Sequence, residues 1–207
     1  INQLQEPIVW YVEETVKGVT VLVPKIYIPE HIVAGFTNGG TAKIAAGTVN
    51  MDITEGLTNS GLIAGENSLA INAGKIANTE SGIAGMTAEI RGGEVDLVSA
   101  GDIINRGAVI KAGKTLYVTA AGDIVNETSN ATGSMIAEIK GGDVNVVSGS
   151  DVVNRSAVIN ADRTVHIAAA GDIINETTVK TTRLTRGEIR STLGTTASIE
   201  SGDKLSI

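Results

Sequence analysis

Three observations predict an all-β fold for this 207-residue chain: a parallel β-helix, or solenoid, with an N-terminal antiparallel β-hairpin extension. First, Ala88 to Thr128 recurs as Ala137 to Thr177, displaced by a constant 49 residues without a gap and identical at 24 of 41 positions. Self-similarity on that scale marks a stacked array. Second, each copy divides into two units. A V/L-x-[VLI] strand opens at Val95, Leu116, Val144 or Val165 and is followed ten residues later by Asn105, Asn126, Asn154 or Asn175. Third, aromatics are only 2% of the chain while glycine numbers 25, a composition that suits a narrow aliphatic interior better than an ordinary domain core.

The same frame extends upstream, where Val49 leads to Asn59 and Leu69 to Asn78, giving six rungs. Their spacings of 20, 26, 21, 28 and 21 residues are too short for a globular domain each and too irregular for a helical repeat. Within a rung the apolar residues alternate with period two. Val49 and Met51, Leu69 and Ile71, Val95 and Leu97, Leu116 and Val118, Val144 and Val146, and Val165 and Ile167 are predicted to point inward. Asn50, Ala70, Asp96, Tyr117, Asn145 and His166 then face outward.

Such short strands, broken by AG, GD and GG steps, cannot bury an apolar face alone. Stacking each coil on the last solves this, because every strand pairs with its equivalent about 4.8 Å away. Roughly seven or eight coils give a rod of about 35 to 40 Å. The asparagines are expected to sit at sharp corners in left-handed backbone geometry, with amides bonded to the copies above and below. Ala100-Gly101, Ala112-Gly113 and Ala121-Gly122 supply corners free of Cβ crowding.

Residues 1–40 form a separate, non-repeating segment. Ile8 to Val16 and Val19 to Ile28 meet at Lys17-Gly18 and read as an antiparallel hairpin packed on or flanking the solenoid. Trp10, Tyr11, Tyr27 and, on the rungs, Tyr117 are the candidate contact surface. A hairpin with apolar alternation more often buries a face than presents one, so a lid role is favoured over a recognition patch. The solenoid repeats then occupy 41–207, with excursions near Asn78 to Glu94 and Glu127 to Gly142. An irregular break follows near 178–196, before Leu205 restores the strand pattern. Opening at Ile1 without an initiator Met, the chain reads as an internal piece of a longer protein.

Net charge is −7, and the basic residues are scattered through the sequence, which argues against a nucleic-acid surface. No apolar run is long enough to span a bilayer. With no cysteine there is neither a disulfide nor a thiolate metal site.

Catalysis is not expected. Asp102, Asp123, Asp151 and Asp172 recur in the same [GS]-D-[IV]-[IV]-N setting and read as corner devices, whereas a catalytic carboxylate pair needs two different surroundings. His31 and His166 lie far apart in sequence. GGEVDLV and GGDVNVV fail the calcium nonapeptide register, because Val95 and Val144 stand where the third glycine is needed. No cofactor or metal is expected. Of the sequons at Asn126, Asn130, Asn154 and Asn175, only Asn130 lies off the ladder.

QLQEPIVWYVE, VTVLVPKIYIPEHI, the AGDIIN and NSGLIAG rungs, and RSTLGTTASIESGDKLSI together carry a resemblance. The chain resembles the hemagglutinin-repeat region of large two-partner-secreted exoproteins of Gram-negative bacteria. These include filamentous-hemagglutinin-like adhesins and contact-dependent growth inhibition proteins. The resemblance implies a right-handed β-helix, a secreted or outer-membrane-surface location, and a shaft segment serving adhesion or toxin delivery. It also implies an outer-membrane secretion transporter as partner for the parent protein, and a host or neighbouring-cell receptor as a further one. The alternative is a receptor- or glycan-binding adhesin module; a β-helix polysaccharide enzyme stands behind both.

Overall fold

The computed structural model describes residues 8–16, 19–27, 35–129, 135–183 and 188–207. β1 (Ile8–Val16) and β2 (Val19–Tyr27) pair antiparallel in a sheet of their own. The solenoid is built from β3 (Gly35–Asn38), β4 (Lys43–Asn59), β5 (Leu62–Thr79), β6 (Glu89–Ser99), β7 (Ile103–Arg106), β8 (Val109–Ala112) and β9 (Thr115–Ala120). It continues through β10 (Ile124–Glu127), β11 (Glu138–Ser148), β12 (Val152–Arg155), β13 (Val158–Ala169) and β14 (Ile173–Glu176). β15 (Val179–Arg183) and β16 (Ile189–Leu193) form a second antiparallel pair, after which β17 (Ser198–Ser201) and β18 (Lys204–Ser206) rejoin the stack.

Every pairing within the stack is parallel, and the longer strands bend through corners, so that β6, β11 and β13 each serve two faces and β4 and β5 each serve all three. Three faces result. The asparagine face stacks Asn38, Asn59, Asn78, Asn105, Asn126, Asn154 and Asn175 in register. The isoleucine face stacks Ile44, Ile63, Ile90, Ile110, Ile139, Ile159 and Ile199. The third stacks Val49, Leu69, Val95, Leu116, Val144, Val165 and Leu205. Seven levels on each face make six steps of about 4.8 Å, roughly 29 Å of rod.

The interior follows from alternation. On the third face Val49, Leu69, Ile71, Val95, Leu97, Leu116, Val118, Val144, Val146, Val165 and Ile167 are buried, while Met51, near the lower end, is half-buried. Asn50, Asp96, Tyr117 and His166 are exposed, and Ala70 and Asn145 are half-buried. Fully burying an isoleucine is worth about 1.5–3 kcal/mol. The isoleucine column therefore supplies a continuous share of the stability.

Three sequence expectations need correction. The stack begins before residue 41, since β3 already pairs with β4 and Asn38 adds a seventh asparagine. The excursions are shorter than the spacing suggested, because Glu89–Gly92 and Glu138–Gly141 belong to coils and bury Ile90 and Ile139. The rung asparagines are ordinary strand residues. Among the described residues outside glycine only Ser156 has positive φ, at 48°, and it shares the short corner after the asparagine strand with Gly107, at 56°.

Among the described residues, excursions leave the coil only at the corner between the asparagine and isoleucine faces, and from the third coil onward on alternate coils. They occupy 80–88, 128–137 and 177–197, so the 49-residue period is two coils. Ser129 donates to Glu80, tying the first two together at 3.0 Å. Glycine is obligatory at some corners and free at others. A Cβ on Gly65 would lie 2.0 Å from the Ser68 carbonyl oxygen, whereas one on Gly47 would meet nothing closer than 3.5 Å. Gly65→Ala should cost about 1–3 kcal/mol and Gly47→Ala within about 0.5 kcal/mol, read by urea denaturation.

Candidate functional site

The asparagines form one hydrogen-bonded column through the interior. Asn38 Nδ2 donates to Asn59 Oδ1 at 2.7 Å, and Asn59, Asn78, Asn105, Asn126 and Asn154 each repeat the bond to the next coil at 2.7–2.9 Å. Each of these Nδ2 groups also donates to backbone carbonyls at the neighbouring corner, as Asn105 does to Ala108 at 2.9 Å and Glu138 at 3.2 Å. Six of the seven amides are buried, and Asn175, at the upper end, is exposed. Of the sequons, Asn126 and Asn154 are closed within this column, and Asn130 lies outside the described residues.

A second ladder runs down the corner between the third face and the asparagine face. Asp102 Oδ1 accepts the Asp123 N–H at 3.1 Å, Asp123 the Asp151 N–H at 3.1 Å, and Asp151 the Asp172 N–H at 2.8 Å. Each carboxylate thus fixes the corner one coil further on. A third ladder alternates in sign: Arg106 pairs with Glu127, and Arg155 with both Glu127 (3.4 Å) and Glu176 (2.6 Å). These charges largely neutralise one another along the wall.

The Ser150 hydroxyl and the Asp151 N–H hold the Asp123 carboxyl below its ordinary value. Arg163 and then Thr164 do the same for Asp143. Because the folded pKa is depressed, the stabilisation exists above the unfolded value near 3.9 and is lost as pH falls through the lower folded value. The Asp143→Asn variant should therefore lose less stability than the parent chain between about pH 4 and pH 2, followed by urea denaturation.

Among the candidate contact residues Tyr117 is 51% and Tyr11 61% exposed. Trp10 sits opposite Lys25, and Tyr27 opposite Ile8, in the β1–β2 register. The side chains of Trp10 and Tyr27 lie outside the described residues, as does His31. His166 is exposed on the third face. No cluster of three His, Cys, Asp or Glu able to hold a metal occurs among the described residues.

Register exposes one feature that the scattered sequence positions concealed. The outward position of the isoleucine face reads Ala45, Ala64, Arg91, Lys111, Lys140, Asn160 and Glu200 from coil to coil. A short basic stripe thus exists, contrary to the expectation of dispersed charge. Beside it lies a groove of about 690 Å³ lined by Lys43, Glu66, Arg91, Lys111 and a floor of alanine and glycine. The E-I-R-G, V-I-K-A and E-I-K-G segments carry the signal, but the sequence reading assigns the first and last to excursions and treats the end of the second as a corner.

Stacked parallel coils closed by internal polar and apolar columns define the class of protein: a parallel β-helix. Comparison with known proteins narrows the kind of β-helix. The chain is 31% identical over 133 residues to the tRNA nuclease CdiA of Yersinia mollaretii and 35% identical over 135 residues to that of Escherichia coli strain 536, each match covering 62% of this chain. It is 35% identical over 130 residues, 58% of the chain, to filamentous hemagglutinin of Bordetella pertussis. Each match spans about 4% of the relative's own length. No family model and no solved structure matches. Over about 60% of its length the chain is thus similar to short stretches of CdiA and of filamentous hemagglutinin, and a place at the outer surface of, or secreted from, a Gram-negative bacterium accords with that similarity.

Proposed function

We propose that this segment is a structural shaft that supplies length and stiffness and presents other parts of its parent protein at a distance from the cell. The observation that carries this reading is the continuous stacking of three faces through seven coils, with two aliphatic columns and one amide column running its length. The parent serves adhesion or contact-dependent toxin delivery, and an outer-membrane two-partner-secretion transporter exports it. The segment itself takes no part in chemistry; the nuclease activity in the names of its relatives is a property of those proteins. The β1–β2 hairpin acts as a flanking segment, the stack from Gly35 onward as the rod proper, and the ladder and core residues as its scaffold.

Electron microscopy of the parent protein tests this reading. An extended rod is expected, and a compact particle would sink it. Labelled 207-residue chain applied to bacterial and host cells, beside a charge-matched β-helix, should show no saturable receptor binding through Tyr11 or Tyr117 if those residues belong only to the wall.

A further inference from the structure

Repeating positions in a solenoid serve the scaffold, so a place where the repeat changes is where a ligand site can be built. The outward column of the isoleucine face makes such a step, from Ala45 and Ala64 on two coils to Arg91, Lys111 and Lys140 on the next three. The missing side chains leave the groove, and the cations rise as its end wall. Arg91 and Lys111 are exposed. Arg91 lies 3.5 Å from Glu89, while Lys111 has no ion pair among the described residues. The groove volume of about 690 Å³ falls within the range of roughly 300–1,000 Å³ typical of small-ligand sites.

We propose that this groove binds a short run of carboxylate-bearing oligosaccharide, its acid groups meeting Arg91, Lys111 and Lys43 and its hydroxyls donating to Glu66. Arg91 and Lys111, one cation on each of two successive coils, with Lys43 two coils below Arg91, suit spaced acid groups better than a dense polyanion. Glu66 lines the groove, Glu89 and Glu138 stand in the adjacent outward column, and the whole chain carries −7, so a heavily sulfated chain meets carboxylates on both sides. No aromatic side chain lines the groove, which leaves nucleobases nothing to stack on. The floor is sheet already paired to the coils above and below, so an extended peptide finds no ladder to join. The shaft reading neither requires nor excludes this site.

The test is calorimetric titration of the folded 207-residue chain with oligogalacturonate, neutral dextran and a heparin oligosaccharide. Saturable binding of oligogalacturonate, without dextran binding and stronger than heparin binding, is expected. Arg91→Gln combined with Lys111→Gln should weaken it about tenfold or more. Ala45→Trp should fill the groove and abolish binding without changing charge, whereas Lys140→Gln, in the same column but outside the lining, should have little effect. Unchanged urea midpoints show that each variant is folded. Absence of oligogalacturonate binding, binding indifferent to Ala45→Trp, or a preference for heparin would overturn the proposal. A rod seen by microscopy together with no glycan binding would leave the shaft reading intact and remove only this one.

Discussion

Leu116→Asp is expected to cost roughly 5 kcal/mol or more, enough to unfold the central coils. Leu116 is wholly buried between Val95 below and Val144 above. Removing its side chain from a packed site costs about 2–5 kcal/mol, and the carboxylate replacing it must be buried without a partner or take up a proton. Typical domain stabilities are only about 5–15 kcal/mol. Val146→Asp, equally buried two residues along the next coil, should behave the same way. Asn145→Asp, outward and half-buried between Tyr117 and His166, should change stability by about 0.5 kcal/mol or less. Urea denaturation of the three variants checks this, and equal losses at positions 145 and 146 would refute the inward–outward assignment.

The second large effect is at the middle of the amide column. Asn126→Leu keeps the branching of the side chain, at a larger volume, but removes the acceptor for Asn105 and the donors to Asn154 Oδ1 and the Val158 carbonyl. Each buried group left without its partner costs about 1–3 kcal/mol, so a loss of roughly 2–4 kcal/mol is expected. Asn105→Leu together with Asn126→Leu should lose less than the sum of the two singles, because the second replacement removes a group that the first had already stranded. Asn175→Ala, at the exposed end, should cost about 1 kcal/mol. Denaturation midpoints of the four variants measure the pattern; strict additivity would mean that the amides act independently.

Much of this architecture was legible because a β-helix repeats its needs in the sequence. The V-x-V strands and the asparagine ten residues later marked two of the three faces. The isoleucine face escaped because its strands offer one inward residue each, Ile63, Ile90 or Ile139, flanked by glycines that read as loop. Asn38 escaped because no V-x-V strand stands ten residues before it: that place is taken by Ile28-Pro29-Glu30, although Gly35-Phe36-Thr37-Asn38 matches Gly56-Leu57-Thr58-Asn59 of the next coil. The sequence also gave the asparagines the left-handed corner that Gly107 and Ser156 adopt two residues later, since single-residue propensity does not reveal which of three adjacent residues turns the chain. The basic stripe was hidden for a different reason. Arg91, Lys111 and Lys140 are 20 and 29 residues apart, and only coil register makes them neighbours.

The amide column has a direction. From Asn38 to Asn154 every side-chain N–H points to the coil that follows in sequence, and every acceptor oxygen faces the coil before it. Aligned amides polarise one another, so each added link strengthens those already made. A chain delivered from its N-terminal end therefore meets, at every coil, a finished surface that offers a donor and waits for an oxygen. Growth can proceed by templating in that order, and a coil arriving upside down would set donor against donor. The same asparagines that hold the rod together thus also give it a vectorial route of assembly.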